Sequence, residues 1–238
     1  MNIQRRSLLG SAVVLVLAAC GESPSGPQGT RTSPFTLDGV TYSDGPAIFA
    51  SAYPALPLSS LADWVTYADA VATFTVGQIM TVDPTHEELA TGQGIIGRRA
   101  DIGQLTVLWR RPQAPDMPAT FETEAGGWSF DATTHVRREL RDTSFAWLTE
   151  GERYLAPLVQ VDFSRRGAPA WEVLTGALLG MREGRTVTPP DVTATDTART
   201  ALLGKTPEEV GALLGEATPH TGADFSLDPI ERMQALQG

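Results

Sequence analysis

Cys20 is the only cysteine in the 238-residue chain. A single thiol excludes an intramolecular disulfide framework and any zinc site built on paired cysteines. Histidine is nearly as scarce, with His86, His135 and His220 far apart in sequence. Lysine occurs once, at Lys205, and the other 17 of the 18 basic residues are arginine. No Ser-x-x-Lys or Gly-x-Ser-x-Gly pattern exists, so the commonest serine nucleophile signatures are missing. Basic charge is short overall: 28 acidic residues leave a formal net charge of −10. That balance argues against nucleic acid as a partner, because phosphates call for a dense basic face. Long apolar runs are absent too. The longest, Ser7 to Leu17, is well short of the roughly 20 residues a membrane-spanning helix needs. What remains is an ordinary apolar fraction of 42%, enough for one substantial domain with or without appendages.

The N-terminus carries the clearest pattern. Arg5 and Arg6 form a short basic region, Ser7 to Leu17 an apolar one, and Leu17-Ala18-Ala19-Cys20 closes it. Basic, apolar, then small is the layout of an export signal, predicted here over residues 1–19. Leu-Ala-Ala-Cys resembles the lipobox of bacterial lipoproteins. The resemblance implies cleavage between Ala19 and Cys20 and acylation of the Cys20 thiol with diacylglycerol and palmitate-type chains. Gln4-Arg5-Arg6-Ser7-Leu8-Leu9 also resembles a twin-arginine signal, with Leu8 where Phe is commoner, so the export route stays open between the general and twin-arginine systems. Residues 21–34 are rich in Gly, Ser and Pro without apolar periodicity and read as a flexible tether.

Beyond the tether, the pattern predicts a mainly β (α+β) fold: a small curled sheet or OB-like barrel over 35–188, with a capping helix, then a linker and helical C-terminal segment over 189–238. Residues 36–55 supply an edge hairpin. Ser59 or Ser60 caps a helix through Leu61, Trp64, Val65 and Ala68. Val71 to Met80, uncharged, β-branched and aromatic, reads as a central strand with Phe74 in the core. Thr81 to Gly103, with Asp83-Pro84 and four glycines, reads as a long loop, and Leu105 to Arg111 as a second strand. Gly126-Gly127 suggests a hairpin turn within Thr120 to Phe130, and Arg153 to Phe163 a further strand. Trp171 to Leu179 pairs with Arg185 to Val187 across Arg182-Glu183-Gly184. Thr206-Pro207-Glu208-Glu209 opens a helix with a cap, a first-position proline and first-turn acids, and Asp228 to Leu236 is a frayed helix.

Leu61-Ala62-Asp63-Trp64-Val65, Ala68-Asp69-Ala70-Val71, Val76-Gly77 and Gly151-Glu152-Arg153-Tyr154-Leu155 resemble the helix and strands of small exported domains of uncharacterised bacterial lipoproteins. Such domains resemble OB-like barrels, including netrin-type and metalloprotease-inhibitor modules. The sequence lacks those modules' disulfides. Their zinc chelation by an unmodified N-terminal cysteine does not carry over to an acylated Cys20.

The remaining motifs have bland readings. Gly92-Gln93-Gly94-Ile95-Ile96-Gly97 matches the dinucleotide fingerprint, but follows an acidic turn and leads into no amphipathic helix, so it reads as a loop. Asp83, His86, Glu87 and Glu88 have metal-donor chemistry without calcium-loop spacing and read as a solvated acidic loop. Glu122 and Glu124 share a strand face, as paired carboxylates would in a glycosidase, and read as surface acids. The five tryptophans, Trp64, Trp109, Trp128, Trp147 and Trp171, could form a sugar or peptide platform, yet each falls in a packing stretch. Arg137-Arg138, Arg141 and Arg165-Arg166 read as solvated turns. No catalytic, cofactor-binding or metal-binding residue is nominated, and no cofactor. The expectation is a lipoprotein held through Cys20 on the outer face of the cytoplasmic membrane or another envelope membrane. It would bind an envelope protein or ligand without catalysis. An envelope hydrolase or metal-dependent enzyme is the alternative, and a protease-inhibitor-like module a third.

Overall fold

The computed structural model describes residues 35–37, 39–49, 56–141, 147–161, 169–190, 192 and 196–237. The expected signal segment with Ala19 and Cys20, the expected tether, and Arg165 and Arg166 lie outside the described residues. The elements run β1 (Phe35–Leu37), β2 (Val40–Asp44), β3 (Ile48–Phe49), α1 (Leu61–Tyr67), β4 (Ala70–Val82), α2 (His86–Thr91), β5 (Gln93–Arg110) and β6 (Phe121–Asp131). They continue with β7 (Val136–Arg141), β8 (Arg153–Val161), β9 (Ala170–Val173), β10 (Leu179–Arg182), β11 (Arg185–Val187), α3 (Thr197–Leu202), α4 (Pro207–Glu216) and α5 (Pro229–Gln237). The fold is mainly β, a large open sheet ordered β1-β2-β7-β6-β5-β4-β8-β10-β11, with β3 beside β7 and β9 beside β8. Pairing is antiparallel except where β2 and β3 meet β7.

Among the described residues the ladder does not close into the expected barrel. The sheet curls until β6 and β9 meet through side chains. The Thr123 hydroxyl donates to Glu172 Oε2 at 2.8 Å and accepts from the Val173 amide at 3.1 Å. A hydroxyl thus stands where a ladder of backbone bonds would complete a barrel.

The uncharged stretch beginning at Ala70 is the centre of this sheet, between β5 and β8. Both its faces are covered. Ala72, Phe74 and Val76 join Ile102, Leu158, Trp171 and Leu178 in one apolar cluster. Val71 turns the other way, to Trp64, Val65, Leu155 and Val159. Helices close that second layer: Ala198 and Leu202 of α3, and Val210 and Leu214 of α4, are buried there. The C-terminal segment is helical as expected, and it supplies part of this core. α1 and α4 carry the local signals read from sequence. Ser60 and Thr206 are the caps, and Asp63 and Glu209 complete capping boxes.

Three expectations fail for identifiable reasons. Thr81 to Gly103 is not a loop. β4 runs to Val82, a capping box of Thr85 with Glu88 starts α2, and Gly92 at φ 71° ends it and launches β5. The dinucleotide-like run is therefore a helix end plus a strand. Gly126-Gly127 is not a turn but lies within β6. A Cβ on Gly127 would collide with the Ile96 carbonyl oxygen, so glycine there serves close strand approach. The partner of β11 is β10, turned by Glu183 and Gly184 at positive φ, while β9 joins β8 instead.

Arginine, read as surface, is built into the interior. Arg98 is buried and donates to the carbonyls of Ala125 (3.1 Å) and Leu148 (2.9 Å). Its guanidinium lies 4.2 Å from the Trp147 ring centre and 5.6 Å from that of Trp128. The stack continues outward, with Arg141 over Trp147, and Arg137 over both Trp128 (4.8 Å) and Phe35 (5.0 Å). Burial pushes the Arg98 pKa down to about 10. Arg98→Ala is expected to destabilise by about 2 kcal/mol in a denaturant titration. Two carbonyls lose their donor and Trp147 its cation, against some relief of desolvation. A change within about ±0.5 kcal/mol would instead fit the loop expected from sequence over Thr81 to Gly103.

Candidate functional site

A polar groove of about 510 Å³ lies across β4, β5 and the start of β6, beside Ile102 and Phe121 of the first apolar cluster. Strand alternation decides what lines it. Ile96, Arg98, Ala100 and Ile102 of β5 are buried, so Asp101 and Gly103 point to the opposite face. Phe74 and Val76 likewise face the core, leaving Thr75 and Gly77 on the groove side. On β6, Glu122 sits directly opposite Asp101.

Two register irregularities frame the groove. Between Val76 and Ile79, β4 spends one residue more than β5, and Gln78 projects exposed from that bulge. Between Thr73 and Thr75 the surplus is on β5, where Gln104 adopts a left-handed conformation at φ 50°. The Thr75 hydroxyl meets Gln104 Oε1 at 3.1 Å. Gly77 and Gly103 form the floor. A Cβ at Gly77 would come within 3.3 Å of Asp101 Cβ, whereas one at Gly103 would meet only Thr120 Cγ2 at 3.7 Å. A Cβ at Gly103 would therefore fit in ordinary contact with Thr120.

The charges are uneven. Glu122 pairs with Arg99 at 3.2 Å, both groups partly exposed, an arrangement worth little to stability. The Asp101 side chain has no hydrogen-bond or ion-pair partner among the described residues. The groove can therefore offer carboxylate acceptors beside Gln78 and Thr120, groups that both donate and accept, along a wall that includes Phe121.

The residues singled out from sequence are placed elsewhere, apart from Glu122. Glu88 is occupied in its capping box and also accepts from the Ile95 amide, while His86 and Glu87 are exposed. Burial works to raise the Glu88 carboxyl, and hydrogen bonds from Thr85 and Ile95 outweigh it and lower its pKa. Among the described residues no group of three or more His, Cys, Asp or Glu could hold a metal ion. Glu122 and Glu124 are both exposed on β6, and the Glu124 backbone amide donates to Glu172. Trp64 and Trp171 are buried, and Trp128 and Trp147 belong to the arginine stack. Arg137 is buried against Asp44 at 2.6 Å, not in a solvated turn. Asp101, Gly103, Gln78 and Gln104 gave no motif, because what gathers them is the register of strands distant in sequence.

His220 forms the other polar junction. Its Nε2 lies 2.7 Å from Asp63 Oδ1, and its amide donates to Thr66. Burial works to raise the Asp63 carboxyl, but hydrogen bonds from His220, Ser60 and Ser59 hold it below the ordinary aspartate value. The Ser59 hydroxyl bonds Asp63, not the imidazole, so these groups do not have the order of a nucleophile, base and orienting acid. This junction fastens the C-terminal segment to α1.

Among the described residues no helix is long and apolar enough to cross a membrane. Comparison of the chain with protein-family models, with curated proteins and with solved structures gives no match, and the reading of the groove rests on its geometry.

Proposed function

We propose that the chain is an exported lipoprotein, anchored through an acylated Cys20, whose folded part is an OB-like module that binds an envelope component without transforming it. The observation that carries this reading is the ordered series Arg5-Arg6, Ser7 to Leu17, then Leu17-Ala18-Ala19-Cys20, followed directly by a Gly-, Ser- and Pro-rich stretch. Chemistry supports it. A lone exposed thiol outside the cell is an oxidation liability, and acylation removes it. Each buried CH₂ of the attached chains contributes roughly 0.8 kcal/mol, so more than one chain gives stable anchoring. The OB-like description rests on the curl that brings β6 and β9 together at Thr123. The groove across β4, β5 and the start of β6 is the binding surface in this reading.

Cys20→Ser is expected to move the protein from the membrane pellet to the soluble fraction after a high-salt wash. Retention of the serine variant in the pellet would overturn the lipid-anchor assignment.

A further inference from the structure

We infer that the groove takes a polyhydroxylated ligand, a neutral or amino-sugar glycan chain. The inference rests on the binding-module reading and adds the ligand's chemical class. Three features of the groove select this class. Its floor at Gly77 and Gly103 is bare backbone, with no side chain of its own to keep a sugar ring away. Its rim mixes carboxylate acceptors (Asp101, Glu122) with the Gln78 amide and the Thr120 hydroxyl, which both donate and accept. Adjacent sugar hydroxyls are also donor and acceptor at once, so each can be answered by such a rim, and Phe121 offers an apolar edge to the ring's C–H faces.

Charge narrows the class further. One rim carboxylate, Asp101, has no counter-ion among the described residues, and the other shares Arg99. A phosphate-bearing or otherwise anionic polymer would be repelled at the centre of the groove, whereas a neutral sugar or an ammonium-bearing one would not. The volume of about 510 Å³ lies within the range of small-ligand sites.

The test is isothermal titration calorimetry of the full chain, held in a detergent without a sugar headgroup. The probes are an N-acetylglucosamine tetramer, a glucosamine tetramer, a glucose tetramer and, separately, calcium chloride. Saturable binding of at least one tetramer at one site per chain is expected. Gly103→Val, which fills the floor, and Asp101→Asn, which removes the unpaired charge, should each weaken binding about ten-fold or more. Thermal melts establish that the variants are folded. If Gly103→Val does not fold, Asp101→Asn and Gln78→Ala decide the matter. The inference is overturned if no tetramer binds, if folded variants bind as tightly as the parent, or if only calcium binds. Membrane fractionation of the same preparations keeps the two readings apart. Retention through Cys20 without tetramer binding overturns the glycan inference alone, and loss of retention by the parent chain overturns the anchor.

Discussion

Asp69→Ala is expected to lower the stability of the folded chain by about 3–5 kcal/mol, the usual cost of stranding one charge of a buried pair. Asp69 and Arg111 are almost wholly enclosed, with side-chain exposures of 3% and 7%. One carboxylate oxygen takes Arg111 Nη2 at 2.5 Å and Nε at 3.2 Å; the other accepts the Gln160 amide at 2.8 Å. The backbone of Asp69 bonds Leu158 and Arg111 as well. One residue therefore ties the start of β4 to the end of β5 and to β8. Arg111 carries the tie further, donating to the Phe225 carbonyl and lying over its ring, with Arg232 over the same ring at 4.9 Å. Removal of the carboxylate would leave a buried guanidinium and a buried amide unmatched. A urea titration should show a lower midpoint at unchanged slope. Asp69→Ala/Arg111→Met should recover part of the loss, since an apolar pair carries no stranded charge. A loss below about 1 kcal/mol for the single variant would mean that water reaches the pair.

Phe74→Ala should cost about 3–5 kcal/mol by the same measurement. Phe74 is completely buried in the middle of the central strand, its ring 6.1 Å from that of Tyr154. The neighbours that would have to collapse into the cavity belong to β5 and β8, themselves held by ladders on both sides, so little relaxation is available. A loss under about 1 kcal/mol would show that the layer around Phe74 is loosely packed.

Legibility in the sequence followed the range of the interactions. The helix at Thr206-Pro207-Glu208-Glu209 was readable because its cap, proline and acids act within one turn. The central strand was readable because a core strand between two apolar layers avoids charge. β5 was not. Arg98 stands in the buried row with Ile96, Ala100 and Ile102, and an arginine there disguises the alternation. What makes it tolerable is Trp147, some 50 positions away. Glycine misled for a related reason: Gly127 relieves contact with another strand, a requirement that looks like a turn when read locally. The groove was hidden because it arises from two bulges, and a bulge is a relation between strands.

The edge of the sheet at β1 and β2 has a mechanical meaning. β1 and β2 form a hairpin in which Phe35 stands opposite Tyr42, and Ser43 and Asp44 join the hairpin to β7. A pull arriving from the N-terminal side at Phe35 leaves toward the body of the sheet through Asp44, at the same open end of the hairpin. Tension then falls on the rungs one after another, as in a zip, instead of on all of them together in shear. Arg137 occupies the first tooth of that zip. It stacks on Phe35 and grips Asp44 at 2.6 Å, so the rung that would part first is also the one with a clasp.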